Sequence, residues 1–346
     1  MTPGLVLRDR RGRFSIRVRP RPVVVGLVSF ATLVALMAVT LTTGEFTLSL
    51  SEVVRALIGR GSPSADFVVN TLRLPRLLTA VSVGAALAVS GAILQTVSGN
   101  PLGSPDVIGF TNGSATGALV VITVLHGGMT EIALGALVGG LATAVAVYLL
   151  AFGGGAGGFR LIVMGIGVGA ILLALNSYLV TRADWQDALE AQHWLVGSLN
   201  NRGWDQANAM LIACLVLLPV AFGYTRRLSL LAMGDDSAQA LGVDARRTRL
   251  VMLLVGVALA AVATAATGPV WFVALAAPQL SRRLVRSPGP GLVNAALMGA
   301  VLLTASDLAV QRLFTAGVLP VGVATGSLGG LYLLGLLLAE SRRTRS

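Results

Sequence analysis

The sequence predicts an all-helical (all-α), polytopic membrane protein with about ten transmembrane helices and both termini in the cytoplasm. Hydrophobic residues make up 55% of the 346 residues and charged residues only 12%, whereas soluble domains carry about twice that charged fraction. The apolar residues form many long runs rather than one, which is typical of a helical membrane protein. All 26 basic residues are arginines, and most lie in the loops that alternate with these runs on one side, as the positive-inside rule requires.

The N-terminal segment is predicted to be a basic cytoplasmic tail over residues 1–22, which contains seven arginines. The apolar run Val23–Leu41 follows. Since no small-x-small cleavage site comes after it, we interpret this run as the first transmembrane helix rather than as a signal peptide. Residues 44–70 are predicted to form an external segment with a short helix around Ser51–Ile58.

The second span is the most informative stretch, because no residue between Arg76 and Asp106 is charged. A helix from Leu74 to Ser98 is about 37 Å long at ~1.5 Å per residue, which exceeds the roughly 30 Å hydrocarbon core of a bilayer. The sequence therefore predicts Arg73 and Arg76 at the external face. The turn at residues 100–103 is predicted to lie at the cytoplasmic face.

The transmembrane domain is predicted to cover residues 23–340, and residues 341–346 form a cytoplasmic tail. A break at Gly268-Pro269 leaves an eighth helix too short to face lipid, so we expect it to pack inside the protein. Residues 225–249 are predicted to be a cytoplasmic segment, 153–158 a flexible inner loop and 182–205 an external interfacial helix. The remaining spans are predicted at about 107–125, 132–152, 161–180, 207–224, 250–267, 269–280, 292–310 and 321–338.

The residue inventory excludes several kinds of chemistry. Without lysine the chain has no Walker A motif, so any nucleotide must be bound by another chain. The single Cys214 cannot form an intrachain disulfide, and His126 and His193 do not have zinc-ligand spacing. We expect no catalytic residue, no metal site and no cofactor in this chain. The positive-inside rule explains the net charge of +11 better than nucleic-acid binding does.

Four motifs carry a family resemblance. They are RLPR at 73–76 with GAALAVSGAILQ after it, NPLGSPDVIGF at 100–110, MGDDSAQALGVDARRTRL at 233–250, and GPVWFVALAAPQLSRRL at 268–284 followed by SDLAVQRLF and LPVGVATGSLGG. In this order they resemble the membrane permease subunit of iron-siderophore and vitamin B12 type ABC importers. FRLIVMGIGVGA at 159–170 and WLVGSLN at 194–200 are most similar to ferric-enterobactin (catecholate siderophore) permeases. Gln279 is a departure, because many members carry histidine there.

The resemblance implies a type II ABC importer permease fold in the cell membrane. It further implies that two permease subunits, identical or homologous, form the pore. Two ATPase subunits would hold ATP and Mg, and an extracytoplasmic siderophore-binding protein would deliver the ferric siderophore. On this account the chain is a translocation subunit surrounded by lipid and is not an enzyme.

The resemblance also assigns candidate site residues. Arg73, Arg76 and Arg312 would dock the binding protein; the alternative is that they only anchor the helices in the headgroup layer. Asn100, Pro101 and Leu102 would form a cytoplasmic gate, although most Asn-Pro pairs only break helices.

A short helix would couple the permease to its ATPase, unless this segment is an ordinary docked loop. We expect Asp235 or Asp236 to cap it, Gly242 to end it in a left-handed conformation, and Ala238, Ala240 and Leu241 to make the contact. The coupling helix is predicted to comprise Gly234, Asp235, Asp236, Ser237, Ala238, Ala240, Leu241 and Gly242.

Other functions remain as alternatives. The substrate could be another iron chelate, haem or cobalamin. An ion-coupled secondary transporter would need ionisable groups in the middle of the membrane, but Asp106, Glu131 and Asp307 are all predicted near span ends. A membrane-embedded enzyme is disfavoured because the sequence contains no HExxH or GxSxG motif.

Overall fold

Helices make up most of the chain in the computed structural model. The structure describes residues 5–8, 15–18, 20–152, 158–287, 289–313 and 319–343. Most of the inner loop predicted at 153–158, and residues 344–346 of the predicted tail, lie outside these ranges. The elements are β1 Leu5–Arg8, β2 Ser15–Val18, α1 Pro20–Thr42, α2 Leu50–Leu57, α3 Pro63–Asp66, a π-helical segment Phe67–Arg73, α4 Leu74–Ser98, α5 Phe110–Val120, a second π-helical segment Val121–Leu125, α6 Met129–Phe152, α7 Gly158–Arg182, α8 Trp185–Leu195, α9 Trp204–Gly223, α10 Thr225–Leu231, α11 Asp235–Ala240, α12 Ala245–Thr267, α13 Val273–Val285, α14 Leu292–Leu313 and α15 Val321–Arg343.

The all-α prediction is confirmed, and the N-terminal tail also contains a small antiparallel hairpin of two four-residue strands. Strand β1 pairs with β2 so that Leu5 lies opposite Val18 and Arg8 lies opposite Ser15. The hairpin precedes α1 directly, and every other described element is helical.

Within the described ranges, seven helices are long and apolar enough to cross a membrane. Shorter or partly described helices occupy the other predicted spans, at Phe110–Leu125, α13 and α15. The number of crossings and the location of the termini therefore stay predictions. Helices α2 and α8 lie where the sequence predicted the two external helices. Below, the outer end of the molecule is the end with Arg73, and the inner end is the end with Asn100.

Helix α4 is the central helix, and its bounds match the sequence prediction. It packs against α9, α12, α13 and α14. Two glycines permit the closest approaches. A Cβ atom at Gly84 would overlap the backbone of Gly299 in α14, and one at Gly91 would overlap the carbonyl group of Ala274 in α13. Small residues at such positions let helix backbones touch within a bilayer.

The predicted break between the seventh and eighth spans is present. Gly268 ends α12 with a φ of +73°, a conformation that residues with a side chain rarely adopt. The amide of Ser198 donates to the Thr267 carbonyl oxygen at 2.7 Å, and the Gly322 amide donates to the Gly197 carbonyl oxygen at 3.0 Å. Irregular backbone is tolerated at membrane depth when protein groups satisfy it in this way.

The short eighth helix differs from its predicted bounds. Helix α13 begins at Val273, four residues later than predicted, because Phe272 has a left-handed φ of +68°. It ends at Val285, and its 13 residues span about 20 Å. This length agrees with the expectation that the helix packs within the protein.

The orientation can be tested by labelling single cysteines with an impermeant thiol reagent after Cys214 is replaced. Ser62, Asp205 and Ser237 are all exposed, so cysteines placed there should be reactive. On the predicted topology, the cysteines at positions 62 and 205 should react from outside intact cells, and the one at position 237 only after lysis. Asp205 is preferable to Asn201, whose φ of +56° would strain a cysteine. Labelling of the Ser237 position from outside would reverse the assigned orientation.

Candidate functional site

The outer end contains a buried ion pair between α4 and α14. Arg76 approaches Asp307 with two donors: Nη2 lies 2.6 Å from Oδ1, and Nε lies 3.1 Å from Oδ2. Gln311 donates from Nε2 to the same Oδ2 at 2.7 Å. The Asp307 side chain is 3% exposed and the Arg76 side chain 23%. The sequence placed Arg76 at this face but gave no sign of its partner, which lies 231 residues away.

Arg73 occupies a different environment. Its Nη1 donates to the Leu41 carbonyl oxygen at 2.6 Å, and its Nη2 donates to the carbonyl oxygen of Phe46. These contacts satisfy carbonyl groups at and just beyond the C-terminal end of α1, where a cation also interacts favourably with the helix dipole. Arg312 is exposed in the last turn of α14, five residues after Asp307. The structure therefore brings the three predicted docking arginines to one end of the molecule.

The turn with the predicted gate residues closes the inner end of α4. Gly99 terminates the helix in the left-handed conformation, and the Asn100 side chain accepts the Leu102 amide at 2.8 Å. Gln279 of α13 donates to the Pro101 carbonyl oxygen at 2.7 Å. The Leu102 side chain is half-exposed. This geometry fixes the turn, and the gating role stays a prediction.

A second contact joins α4 to α13 near the same end. Gln95 is buried; its Nε2 donates to the Leu275 carbonyl oxygen at 3.1 Å, and its Oε1 accepts from Arg282. Sequence reasoning did not identify these residues as a pair, although both lie in the motifs that carried the resemblance. The inner ends of α4 and α13 are consequently held as one unit.

Helix α11 lies where the coupling helix was predicted, and it is tied to α12; its coupling role stays a prediction. Asp235 accepts two hydrogen bonds from Arg249, at 2.8 Å from Nη2 and 3.1 Å from Nη1. Gly242 follows α11 with a φ of +77°, which confirms the predicted left-handed ending. Asp244 caps α12 by accepting the Arg247 amide at 2.9 Å.

Two details of the coupling prediction are wrong. Neither Asp235 nor Asp236 caps α11, because the N-cap is Gly234 without a side-chain hydrogen bond and the Asp235 carboxylate faces Arg249 instead. Ala238 is fully buried against its own chain and offers no contact surface. The other two predicted contact residues, Ala240 and Leu241, are exposed, Leu241 at 60%. Met233 is also exposed, at 65%, and was not predicted from the sequence.

A cavity of about 320 Å³ lies beside the helix break. Asn176 is buried within it and accepts from Thr116 at 2.7 Å, and Asn112 donates to the Gly169 carbonyl oxygen at 3.1 Å. Polar residues inside apolar spans were the available sequence signal for this cavity. None of its lining residues is charged; they are Asn112, Ala115, Leu173, Asn176, Ser177, Val180, Thr181, Gln192, Leu195, Pro269 and Trp271.

Within the described ranges, no group of three or more His, Cys, Asp and Glu side chains is placed to hold a metal ion. The acidic groups noted in the sequence all have partners. Asp106 accepts from the Thr111 hydroxyl at 2.8 Å, Glu131 accepts the Gly128 amide at 2.7 Å, and Asp307 pairs with Arg76.

Comparisons with known proteins agree with the resemblance. The chain matches the FecCD transport family over residues 32–339. It is 48% identical over 303 residues to the ferric enterobactin transport system permease protein FepG of Escherichia coli (strain K12), covering 88% of this chain and 92% of the relative. It is 36% identical over 343 residues to the achromobactin transport system permease protein CbrC of Dickeya dadantii (strain 3937), covering 97% of each chain.

A solved structure has the same architecture. An inward-facing putative metal-chelate type ABC transporter superposes with a TM-score of 0.82 at 28% identity, covering 92% of this chain and 99% of that one. The family match, the two relatives and this structure all extend over most of the chain. Together with its apolar helices, they show that this multi-pass membrane protein belongs to the FecCD transport family.

Proposed function

We propose that this chain is the transmembrane permease subunit of an ATP-driven importer in the cytoplasmic (inner) membrane that moves a ferric siderophore into the cytoplasm. The substrate is a catecholate siderophore of the enterobactin type. The observation that carries this proposal is the 48% identity to FepG across 88% of the chain. The fold shared with a metal-chelate type transporter supports it independently.

ATP hydrolysis takes place on separate ATPase subunits that hold ATP and Mg, because this chain has no lysine for a Walker A motif. Two permease subunits and two ATPase subunits form the complex. Leu241 and Met233 supply the apolar contact to the ATPase, since both are exposed beside a helix that is too short to be stable alone in water. The Asp235–Arg249 pair transmits motion of α11 to α12.

The outer end docks a siderophore-binding protein through its arginines. A guanidinium group binds a carboxylate with two parallel hydrogen bonds, so arginine suits recognition of acidic side chains on a partner. The three arginines have different surroundings. Arg312 is exposed, Arg73 donates to a backbone carbonyl group, and Arg76 is paired with Asp307.

The substrate passes the uncharged cavity at the helix break and leaves through the turn at Asn100, Pro101 and Leu102. Amide and hydroxyl groups such as those of Asn176 and Ser177 can hydrogen-bond the oxygen atoms of a chelate. Because no charged group lines the cavity, an anionic complex is not retained there by an ion pair. This arrangement favours passage over tight binding.

An ion-coupled transporter is the second candidate function, and the side-chain geometry disfavours it. Such a carrier needs an ionisable group that exchanges protons or ions within the membrane. Asp307 is already neutralised by Arg76, and Asp106 and Glu131 are hydrogen-bonded. ATP dependence therefore distinguishes the two functions.

The function is tested by uptake of radiolabelled ferric enterobactin into proteoliposomes that contain the permease, its ATPase subunits and its binding protein. We expect uptake with ATP enclosed on the ATPase side and none with a proton gradient alone. An ATPase variant that binds but does not hydrolyse ATP is the control. Uptake driven by the gradient without hydrolysis would contradict the proposal. A ferric hydroxamate and cobalamin, tested in the same vesicles, should be carried poorly.

A further inference from the structure

The three arginines at the outer end have different surroundings, and this difference assigns them different roles. We propose that Asp307 is a positioning residue that neutralises Arg76 and clamps the outer ends of α4 and α14. The positive charge offered to a docking partner then comes from Arg73 and Arg312. This inference rests on the proposed docking of an acidic binding protein at this end.

The geometry of the Arg76–Asp307 pair supports the clamp. Both carboxylate oxygens of Asp307 are engaged by Arg76, and Oδ2 also accepts from Gln311. The guanidinium group uses Nε and Nη2, the edge that matches a carboxylate in a bidentate pair. The paired groups therefore carry no net charge toward a partner.

Exchange of Arg76 from Asp307 to a carboxylate on another protein is energetically unfavourable. The Asp307 side chain is 3% exposed, and loss of Arg76 would leave a buried carboxylate with Gln311 as its remaining side-chain partner. Removing one member of a buried ion pair is strongly destabilising because the other charge is then uncompensated. Arg76 consequently stays with Asp307 when the partner docks.

Arg73 and Arg312 keep their charge. The hydrogen bonds of Arg73 go to backbone carbonyl oxygens of Leu41 and Phe46, which orient the guanidinium group without neutralising it. Arg312 is exposed in the last turn of α14, five residues after Asp307, and so lies at the same end as Arg73. Two neighbouring cations form a site of positive potential, and such sites speed and orient the association of an acidic partner.

The decisive variant is Asp307→Asn, which keeps the side-chain shape and removes the charge. The experiment measures the affinity of the substrate-loaded binding protein for the permease–ATPase complex in nanodiscs at low salt, together with the melting temperature. We expect a lower melting temperature. We also expect binding about two- to three-fold tighter, because the positive charge of Arg76 is then no longer compensated by Asp307. If Asp307→Asn lowered the melting temperature without tightening binding, Asp307 would only hold the two helices together, and the proposal that it neutralises Arg76 toward the partner would be wrong.

A second comparison replaces the pair by apolar residues of similar size, which often leaves stability unchanged. In Arg76→Met with Asp307→Leu, we expect binding within two-fold of wild type and a melting temperature above that of Arg76→Met alone. The matched variant is Arg312→Met, which makes the same substitution at an exposed arginine. It should weaken binding roughly five-fold in low salt, with a smaller loss in high salt.

The outcomes separate the clamp from the docking proposal. Weaker binding by Asp307→Asn, or a loss in the Met–Leu double variant as large as that of Arg312→Met, would overturn the assignment of Arg76 to the clamp. Unchanged binding in every variant, Arg312→Met included, would show that this end does not dock an acidic partner. That result would refute the docking proposal itself.

Discussion

Replacing Leu241 with Arg is expected to abolish transport and remove the ATPase subunits from the purified complex. The Leu241 side chain is 60% exposed directly after α11, so the substitution leaves the fold of the isolated chain intact. In the proposed complex the new charge would be buried without a partner, at a cost of several kcal/mol. Co-purification of the ATPase and siderophore uptake are the measurements.

Ile58→Arg is the matched control for Leu241→Arg. Ile58 is 61% exposed and follows α2, on the predicted outer side, so it tests the same gain of charge at an equally exposed apolar residue. We expect the ATPase to co-purify normally with this variant. If Leu241→Arg also retained the ATPase and normal uptake, the segment at 234–242 would be a loop without a coupling role.

The second large effect is expected for Gly91→Ala, which should prevent accumulation of the folded permease. The added Cβ atom would overlap the Ala274 carbonyl group, a backbone atom that cannot rotate away. Pro278 has no N–H to donate to that carbonyl, so α13 presents it to α4 at this position. Overpacking a core typically costs 1–3 kcal/mol, and we expect about 3 kcal/mol here because backbone must move.

Gly167→Ala is the matched control for Gly91→Ala. Gly167 lies within α7, and a Cβ atom there would meet no other atom within 4 Å. Alanine has the higher helix propensity, so this variant should accumulate at least as well as wild type. Fluorescence-detected size-exclusion chromatography of both variants gives the comparison. A Gly91→Ala protein with a wild-type elution profile and melting temperature would show that α4 and α13 can separate at this point.

Local features were predictable because they depend on neighbouring residues. The bounds of α4 follow from an uncharged apolar run between Arg76 and the Asn100 turn, and Gly242 ends α11 as its residue type suggested. The break at Gly268-Pro269 was visible for the same reason. The start of α13 was misplaced by four residues because Phe272 adopts a left-handed conformation that no local rule predicts.

The motifs predicted where the candidate site residues lie in the chain, but they did not predict which contacts their side chains make. The motif at 233–250 located the short helix α11, yet it did not show that Ala238 is buried or that Met233 is exposed. Capping by Asp235 is the most frequent role of an aspartate at a helix start. Here Arg249, 14 residues further on, competes for its carboxylate and makes two charge-assisted hydrogen bonds with it.

By itself the sequence determined that this chain is a helical membrane protein without a Walker A lysine. It also located most of the helices, because apolar runs and the arginines that flank them are local features of the sequence. Only the tertiary structure decided which side chains meet. Arg76 finds Asp307 because Gly84 and Gly299 let α4 and α14 touch, and Gly91 matters because α13 presents a carbonyl group to it. These contacts join residues up to 231 positions apart, and in a bilayer they depend on how closely two backbones approach.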